Sequence, residues 1–171
     1  QERKKIHERL KQSHEKVTPV MINREFDQIT KSIEINRNIQ AIKNNGVNVK
    51  YIACDVRDFD ILNAEIKTAE KEFGQVTAVV HAAGIDKSHF IDQKSTDEFQ
   101  NVMSVKAEGA VNLLHILKDN PLKLAIAFSS IAGRFGNAAQ LDYSAANNFL
   151  NYWIKSLHRQ YNGINAKSLI W

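Results

Sequence analysis

Two hydrophobic periods alternate along this chain. Leu124-Ala125-Ile126-Ala127-Phe128 is an unbroken apolar run, the pattern of a strand buried on both faces. It stops at Ser129 and Ser130, and a loop containing Gly133 and Gly136 follows. A helical period then starts near Asp142 and runs to about Gln160, with Tyr143 in its first turn. Asn147, four residues on, shares a helix face with Tyr143. Upstream, Val47 to Cys54 alternates early and becomes apolar late, which predicts a strand ended by Asp55-Val56-Arg57-Asp58. Ile61, Leu62, Ile66, Ala69 and Phe73 form the inward stripe of a helix that Gly74 stops. Thr77 to Ala83 predicts the next strand, running into Gly84 and a polar loop from Ile85 to Lys94. Ser95 and Glu98 have capping-box spacing and open a helix to about Lys118. Asn162-Gly163 turns the chain into a last strand, Ala166 to Trp171.

The N-terminal part is different. Residues 1–16 predict a polar helix with only Ile6 and Leu10 as apolar anchors, and residues 24–44 carry a stripe of Phe26, Ile29, Ile33, Ile35, Ile39 and Ile42. Asn45 and Gly46 end that helix, and neither helix has a face able to fold alone. From residue 47 on, strands alternate with helices. That predicts βαβ units, a parallel sheet with right-handed crossovers, and one α/β domain over residues 1–171.

The 171 residues suffice for one domain, and apolar (43%) and charged (25%) fractions are ordinary for a globular chain. No apolar run approaches membrane-spanning length, so no membrane partner is expected. The single Cys54 has no disulfide partner and reads as a buried structural thiol in a reducing, cytoplasmic setting. Of the 23 Lys and Arg, eleven fall in residues 1–50 against six Asp and Glu, so the net charge of +4 belongs to the N-terminal end. A solvated lysine-rich helix accounts for that excess. No aromatics are interleaved for stacking on bases, and no nucleic-acid partner is expected.

Candidate chemistry gathers around Tyr143. In an open α/β sheet ligands bind beyond the carboxyl ends of the strands, where Ser130 stands. On the helix opened by Ser95, positions 102, 106, 109 and 113 align as Val, Lys, Gly and Leu. Lys106 therefore lies on the inward stripe, either snorkelling to water or buried for a purpose, because an unpaired buried ammonium is costly. Gly109 weakens the helix and suggests close approach of another backbone. No metal site is assigned.

Lys106, Ser130, Tyr143 and Asn147 occur in the segments SVKAEGAVNL (104–113), FSSIAGRFG (128–136) and YSAANNFL (143–150), with HAAG at 81–84. Together these resemble the ketoreductase domains of modular polyketide synthases, within the short-chain dehydrogenase/reductase superfamily. Trp171 after Leu169-Ile170 looks like the start of that family's Trp-Gly-Pro-Trp segment, and residues 1–45 look like its basic helical insert. Ordinary short-chain dehydrogenases carry Tyr-x-x-x-Lys. Here Asn147 takes that place and the lysine comes from the preceding helix, as in the polyketide enzymes.

The resemblance implies a Rossmann-like doubly wound parallel sheet. It implies NADPH-dependent reduction of a β-ketoacyl group carried on an acyl carrier protein, within a synthase of several domains. Tyr143 would give the proton, Ser130 would bond the carbonyl oxygen, and Lys106 would tune Tyr143 and hold the nicotinamide ribose. Asn147 would orient Lys106 or a relay water. Asp55 and Val56 match the adenine-contacting pair, and Ala82, Ala83 and Gly84 let the backbone approach the cofactor. A fatty-acid or polyunsaturated-fatty-acid synthase reductase, or a catalytically silent half-domain, are the alternatives.

The family's glycine-rich dinucleotide loop has no counterpart here, since no G-x-G-x-x-G occurs. Against the family pattern the chain begins after the second strand and stops before the C-terminal lid, as an internal piece of a domain of roughly 200–250 residues. In the order 3-2-1-4-5-6 the strands expected at 47–54 and 77–83 are not neighbours. The first of them would then be an orphan, unless further residues or another chain supply its partners, or the fold is altered.

Overall fold

A computed structural model describes residues 2–13 and 16–171. The chain divides into two compact units, Gln1–Tyr51 and Ile52–Trp171.

The first unit is a pair of helices, α1 (Glu2–Ser13) and α2 (Pro19–Asn44). Of the helix expected over 1–16, residues 1, 14 and 15 lie outside the described residues. Thr18 caps α2 by accepting from the Met21 N–H, and Pro19 occupies the first turn, where its missing donor is no loss. Arg9 pairs with Glu25, and the Arg3 guanidinium stands 4.8 Å over the Phe26 ring. No residue of α2 is fully buried, and Ile33 and Ile42 of its apolar stripe are exposed.

The second unit runs α3 (Phe59–Phe73), β1 (Ala78–His81), α4 (Thr96–Leu117), β2 (Leu124–Phe128), α5 (Ala132–Phe135), α6 (Leu141–Gln160) and β3 (Asn165–Leu169). The capping box forms as its spacing predicts: Ser95 Oγ accepts from Glu98 N at 3.2 Å while Glu98 Oε2 accepts from Ser95 N. Gly74 ends α3 with φ +87°, a conformation other residues avoid. The three strands make one parallel sheet in the order β1-β2-β3, with Ala78 opposite Leu124 and Leu124 opposite Asn165. Helices α4 and α6 form the two crossovers and pack on each other. Ala110, Ile116 and Leu117 of α4 meet Leu150, Trp153, Ile154 and Leu157 of α6 over Ala125, Ala127 and Ala166 of the sheet. The architecture is Rossmann-like α/β with a partial sheet.

Four expectations need correction. Residues 47–54 form no strand: no described backbone lies beside them to complete a ladder, and β1 pairs with β2 alone. The central strand β2 is buried on one face only. Ala125 and Ala127 lie under the helices, whereas Phe128 is exposed on the opposite face along with Val80 and Leu169, its companions by register and strand alternation. Cys54 is half-buried rather than buried; that burial, then Glu65, Asp55 and Asp58, push its thiol up, which disfavours the reactive thiolate. One helical turn, α5, interrupts the expected loop after Ser130.

Candidate active site

The site is built where β1 and β2 end beneath α4 and α6. Lys106 is only 4% exposed, which decides between the two readings of its position. Its stem crosses the backbone of Gly84, where a Cβ would stand 2.8 Å from Lys106 Cε and 3.1 Å from Nζ. Any side chain at 84 would displace the lysine. The ammonium donates to the Phe128 carbonyl at 3.0 Å and stands 5.8 Å from the centre of the Tyr143 ring. Burial lowers its pKa, because leaving water penalises the charged form.

His81, at the end of β1, supports Lys106 from behind. It is 2% exposed, and its Nε2 lies 3.0 Å from the Lys106 carbonyl. A carbonyl only accepts, so Nε2 carries the hydrogen and donates. Burial lowers its pKa and favours that neutral ring, which also meets Trp153 edge-on at 6.1 Å. His81 carries one signal in the sequence, a polar residue closing an otherwise apolar strand, and was not among the candidate site residues.

Gly109 does sit at a close approach, but to side chains rather than to another backbone. A Cβ there would lie 2.8 Å from Val56 Cγ2 and 3.3 Å from the His81 ring. Val56 is thereby set beside the base of the site. Asn112 fixes the segment by donating to the carbonyls of Val56 and Arg57 at 3.0 and 3.1 Å. The Asp55 carboxylate is gripped by Arg57, at 3.0 Å from Nε and 2.6 Å from Nη2, and those bonds hold its pKa down. Arg57 also donates to Asn101 on α4.

Ser129 and Ser130 follow β2 directly, and both are buried. Ser129 Oγ donates to the Asn147 carbonyl at 3.0 Å, locking the strand end to α6. Ser130 Oγ accepts from Ala132 N at 3.2 Å, and its own hydroxyl hydrogen remains available to donate. The one-turn α5 brings Gly133 against α6 so closely that a Cβ would lie 2.7 Å from Asn147 Cβ and 2.8 Å from its carbonyl carbon. That contact packs α5, which follows Ser130, against α6 at Asn147.

Asn147 is fully buried, and its Nδ2 donates back to the Tyr143 carbonyl at 2.7 Å. Its Oδ1 is buried without a partner. An orphaned buried acceptor costs about 1–3 kcal/mol, so this oxygen is set for a donor from the site. Tyr143 is half-buried in the first turn of α6, its backbone N–H bonded to Asp142 Oδ1 at 2.9 Å. Asp142 in turn pairs with Lys94 at 2.7 Å, with both side chains inaccessible (0% and 2% exposed). No periodicity connects residues 94 and 142, and neither was among the candidate site residues.

The residues present fit a nicotinamide cofactor on three counts. Lys106 has used one of three N–H bonds, Asn147 Oδ1 lacks a donor, and at Gly84 the lysine stem lies against bare backbone. Among the described residues no group of three or more His, Cys, Asp or Glu could hold a metal ion, and no described helix is long and apolar enough to cross a membrane.

Comparison with known proteins shows the family and the fold. A family model described as KR domain matches residues 18–171. The chain is 33% identical over 131 residues, 73% of its length, to polyketide synthase PksL of Bacillus subtilis. It is 33% identical over 155 residues, 90% of its length, to a polyunsaturated fatty acid synthase chain of Thraustochytrium. It spans only 3% and 5% of those relatives. Among solved structures, a ketoreductase domain from the bacillaene assembly line superposes with TM-score 0.73 at 31% identity, over 80% of this chain and 34% of that one. The ketoreductase from the first module of phoslactomycin biosynthesis in Streptomyces gives TM-score 0.73 at 31% identity, over 80% of this chain and 31% of that one. The lysine from α4, the serine after β2 and the tyrosine of α6 thus sit on a shared fold, and the chain belongs to the KR domain family, the ketoreductase domains of polyketide synthases.

Proposed function

We propose that this chain carries the catalytic face of an NADPH-dependent β-ketoacyl reductase. The substrate is a β-ketoacyl thioester on an acyl carrier protein within a cytoplasmic, multidomain polyketide synthase. The observation that carries the reading is the buried Lys106 ammonium, held between Gly84, the Phe128 carbonyl and the Tyr143 ring while Asn occupies position 147.

The cofactor, when bound, supplies hydride to the ketone carbon. Negative charge then develops on the carbonyl oxygen. Ser130 has a hydroxyl hydrogen to donate to that oxygen, and its orientation is set by the Ala132 N–H it accepts. Tyr143 delivers the proton as general acid. Lys106 would hold the nicotinamide ribose with its remaining donors, and its charge, 5.8 Å from the centre of the Tyr143 ring, favours phenolate character as the proton leaves. Asn147 Oδ1 accepts from Lys106 or a relay water, which would satisfy the orphan. Val56 and Asp55 would contact the adenine, and Ala82, Ala83 and Gly84 would admit the cofactor to the strand end.

The same chemistry on a polyunsaturated-fatty-acid synthase is the second reading, favoured by the match that spans 90% of this chain. The test is Tyr143→Phe in the full-length protein, which keeps the ring and deletes the hydroxyl. Turnover should fall about 10²–10⁴-fold with cofactor affinity and circular dichroism unchanged. Parental turnover would sink the assignment.

A further inference from the structure

Buried ion pairs are an expensive way to hold a loop. The desolvation of two charges commonly exceeds their attraction, and an apolar pair of similar volume often serves stability better. Lys94 and Asp142 therefore call for a reason beyond stability. Their side chains are 2% and 0% exposed, and the charged groups stand 2.7 Å apart. Lys94 Nζ donates to the Lys87 carbonyl at 2.5 Å and to Asp142 Oδ2 at 2.7 Å, and Asp142 Oδ1 accepts from the Tyr143 backbone N–H at 2.9 Å. Three consecutive charge-assisted bonds thus connect the loop that follows Gly84 to the backbone of Tyr143.

The local structure of α6 makes that connection matter. The first N–H groups of a helix have no partner within it. Gln140, at the N-cap, makes no side-chain capping bond, and the residue before it, Ala139, has φ +61°. Asp142 takes the Tyr143 N–H in place of a cap, and its carboxylate suits the positive end of the helix dipole. Gln140 instead donates to Asp86 Oδ2 at 2.8 Å and to Ser88 Oγ at 3.1 Å. The loop after Gly84 is consequently clamped to the first turn of α6 at two points, and the Tyr143 backbone is held through the inner one.

We propose that the Lys94–Asp142 ion pair is a positioning device for ketone reduction: it fixes the backbone from which Tyr143 projects and sets the loop of residues 85–94 against it. The inference rests on Tyr143 acting as the general acid. Neither Lys94 nor Asp142 touches substrate; both act through Tyr143.

The experiment uses the full-length protein, NADPH and a short β-ketoacyl thioester. Asp142→Asn keeps an oxygen for the Tyr143 N–H but abandons the Lys94 charge. The double variant Lys94→Met with Asp142→Asn also removes the stranded ammonium, so it should fold even if the single variant does not. The expected result is kcat lowered by about 10- to 100-fold in the double variant, as for a reacting group displaced by a fraction of its productive geometry. NADPH affinity and KM should stay near parental, with a cooperative melt. A pair that serves folding alone would not separate kcat from cofactor binding. Parental kcat in a folded double variant, in a protein whose parent reduces the thioester, would overturn this inference and leave the functional reading standing. Loss of folding and cofactor binding together in both variants would also overturn it, assigning the pair to stability. A parent without turnover would refute the functional reading and this inference with it.

Discussion

Lys106→Met separates the two things a buried lysine can do. Methionine keeps most of the stem that lies over Gly84 and removes the ammonium. On the stability side two effects oppose. The Phe128 carbonyl loses its 3.0 Å partner, a charge-assisted bond worth about 1.5–3 kcal/mol. Against that, a cation only 4% exposed no longer has to be desolvated, which relieves a penalty of several kcal/mol per buried ion. No carboxylate lies within ion-pair distance of Lys106 among the described residues, so that penalty is not offset by a partner. The net change should be within about 2 kcal/mol of zero, or a melting shift of roughly 8 °C or less for a chain of this size. Activity should behave differently. The Lys106 ammonium stands 5.8 Å from the centre of the Tyr143 ring, and under the proposed mechanism its loss costs about 10²–10³ in rate. The assay is thermal melting beside steady-state oxidation of NADPH and a fluorescence titration of NADPH. A melt near parental with kcat/KM down by that factor and weakened cofactor binding supports the reasoning. Parental kinetics would refute it, whatever the melt shows.

Gly133→Ala should destabilise by about 1–3 kcal/mol in urea unfolding, because the added Cβ meets α6 backbone at 2.8–2.9 Å and neither helix can yield cheaply. A parental midpoint would contradict the packing of α5 on α6. His81→Asn tests the buried imidazole by pH. Burial lowers the His81 pKa below its ordinary 6.5, so the unfolded chain takes up a proton before the folded one does. Its contribution is constant above about 6.5, and stability is lost as pH falls below that value; the variant should lose less over the same acid range, read by denaturant midpoints. Identical acid slopes in parent and variant would show that His81 is not held neutral by the fold.

The helices were legible along the chain because their caps, stops and apolar stripes depend on near neighbours. The capping box at Ser95 and Glu98 and the stop at Gly74 are local events, and they form where their spacing places them. Helix period placed Tyr143 and Asn147 on one face and Lys106 on an inward stripe, whereas the grouping of these with Ser130 was implied by the resemblance to the ketoreductase family. Other features were decided only in three dimensions. Residues 47–54 have a strand's pattern but no described partner, and a strand exists only when another backbone completes its ladder. Whether Lys106 snorkelled or was buried depended on β1 and β2 arriving beneath α4, which no periodicity within α4 encodes. The Lys94–Asp142 pair joins residues 48 positions apart, and the orphaned Asn147 oxygen appears only once α5, α6 and the end of β2 close around it. Pattern along a chain reports which faces are apolar; which polar groups those faces enclose together is set by the crossing of elements distant in sequence.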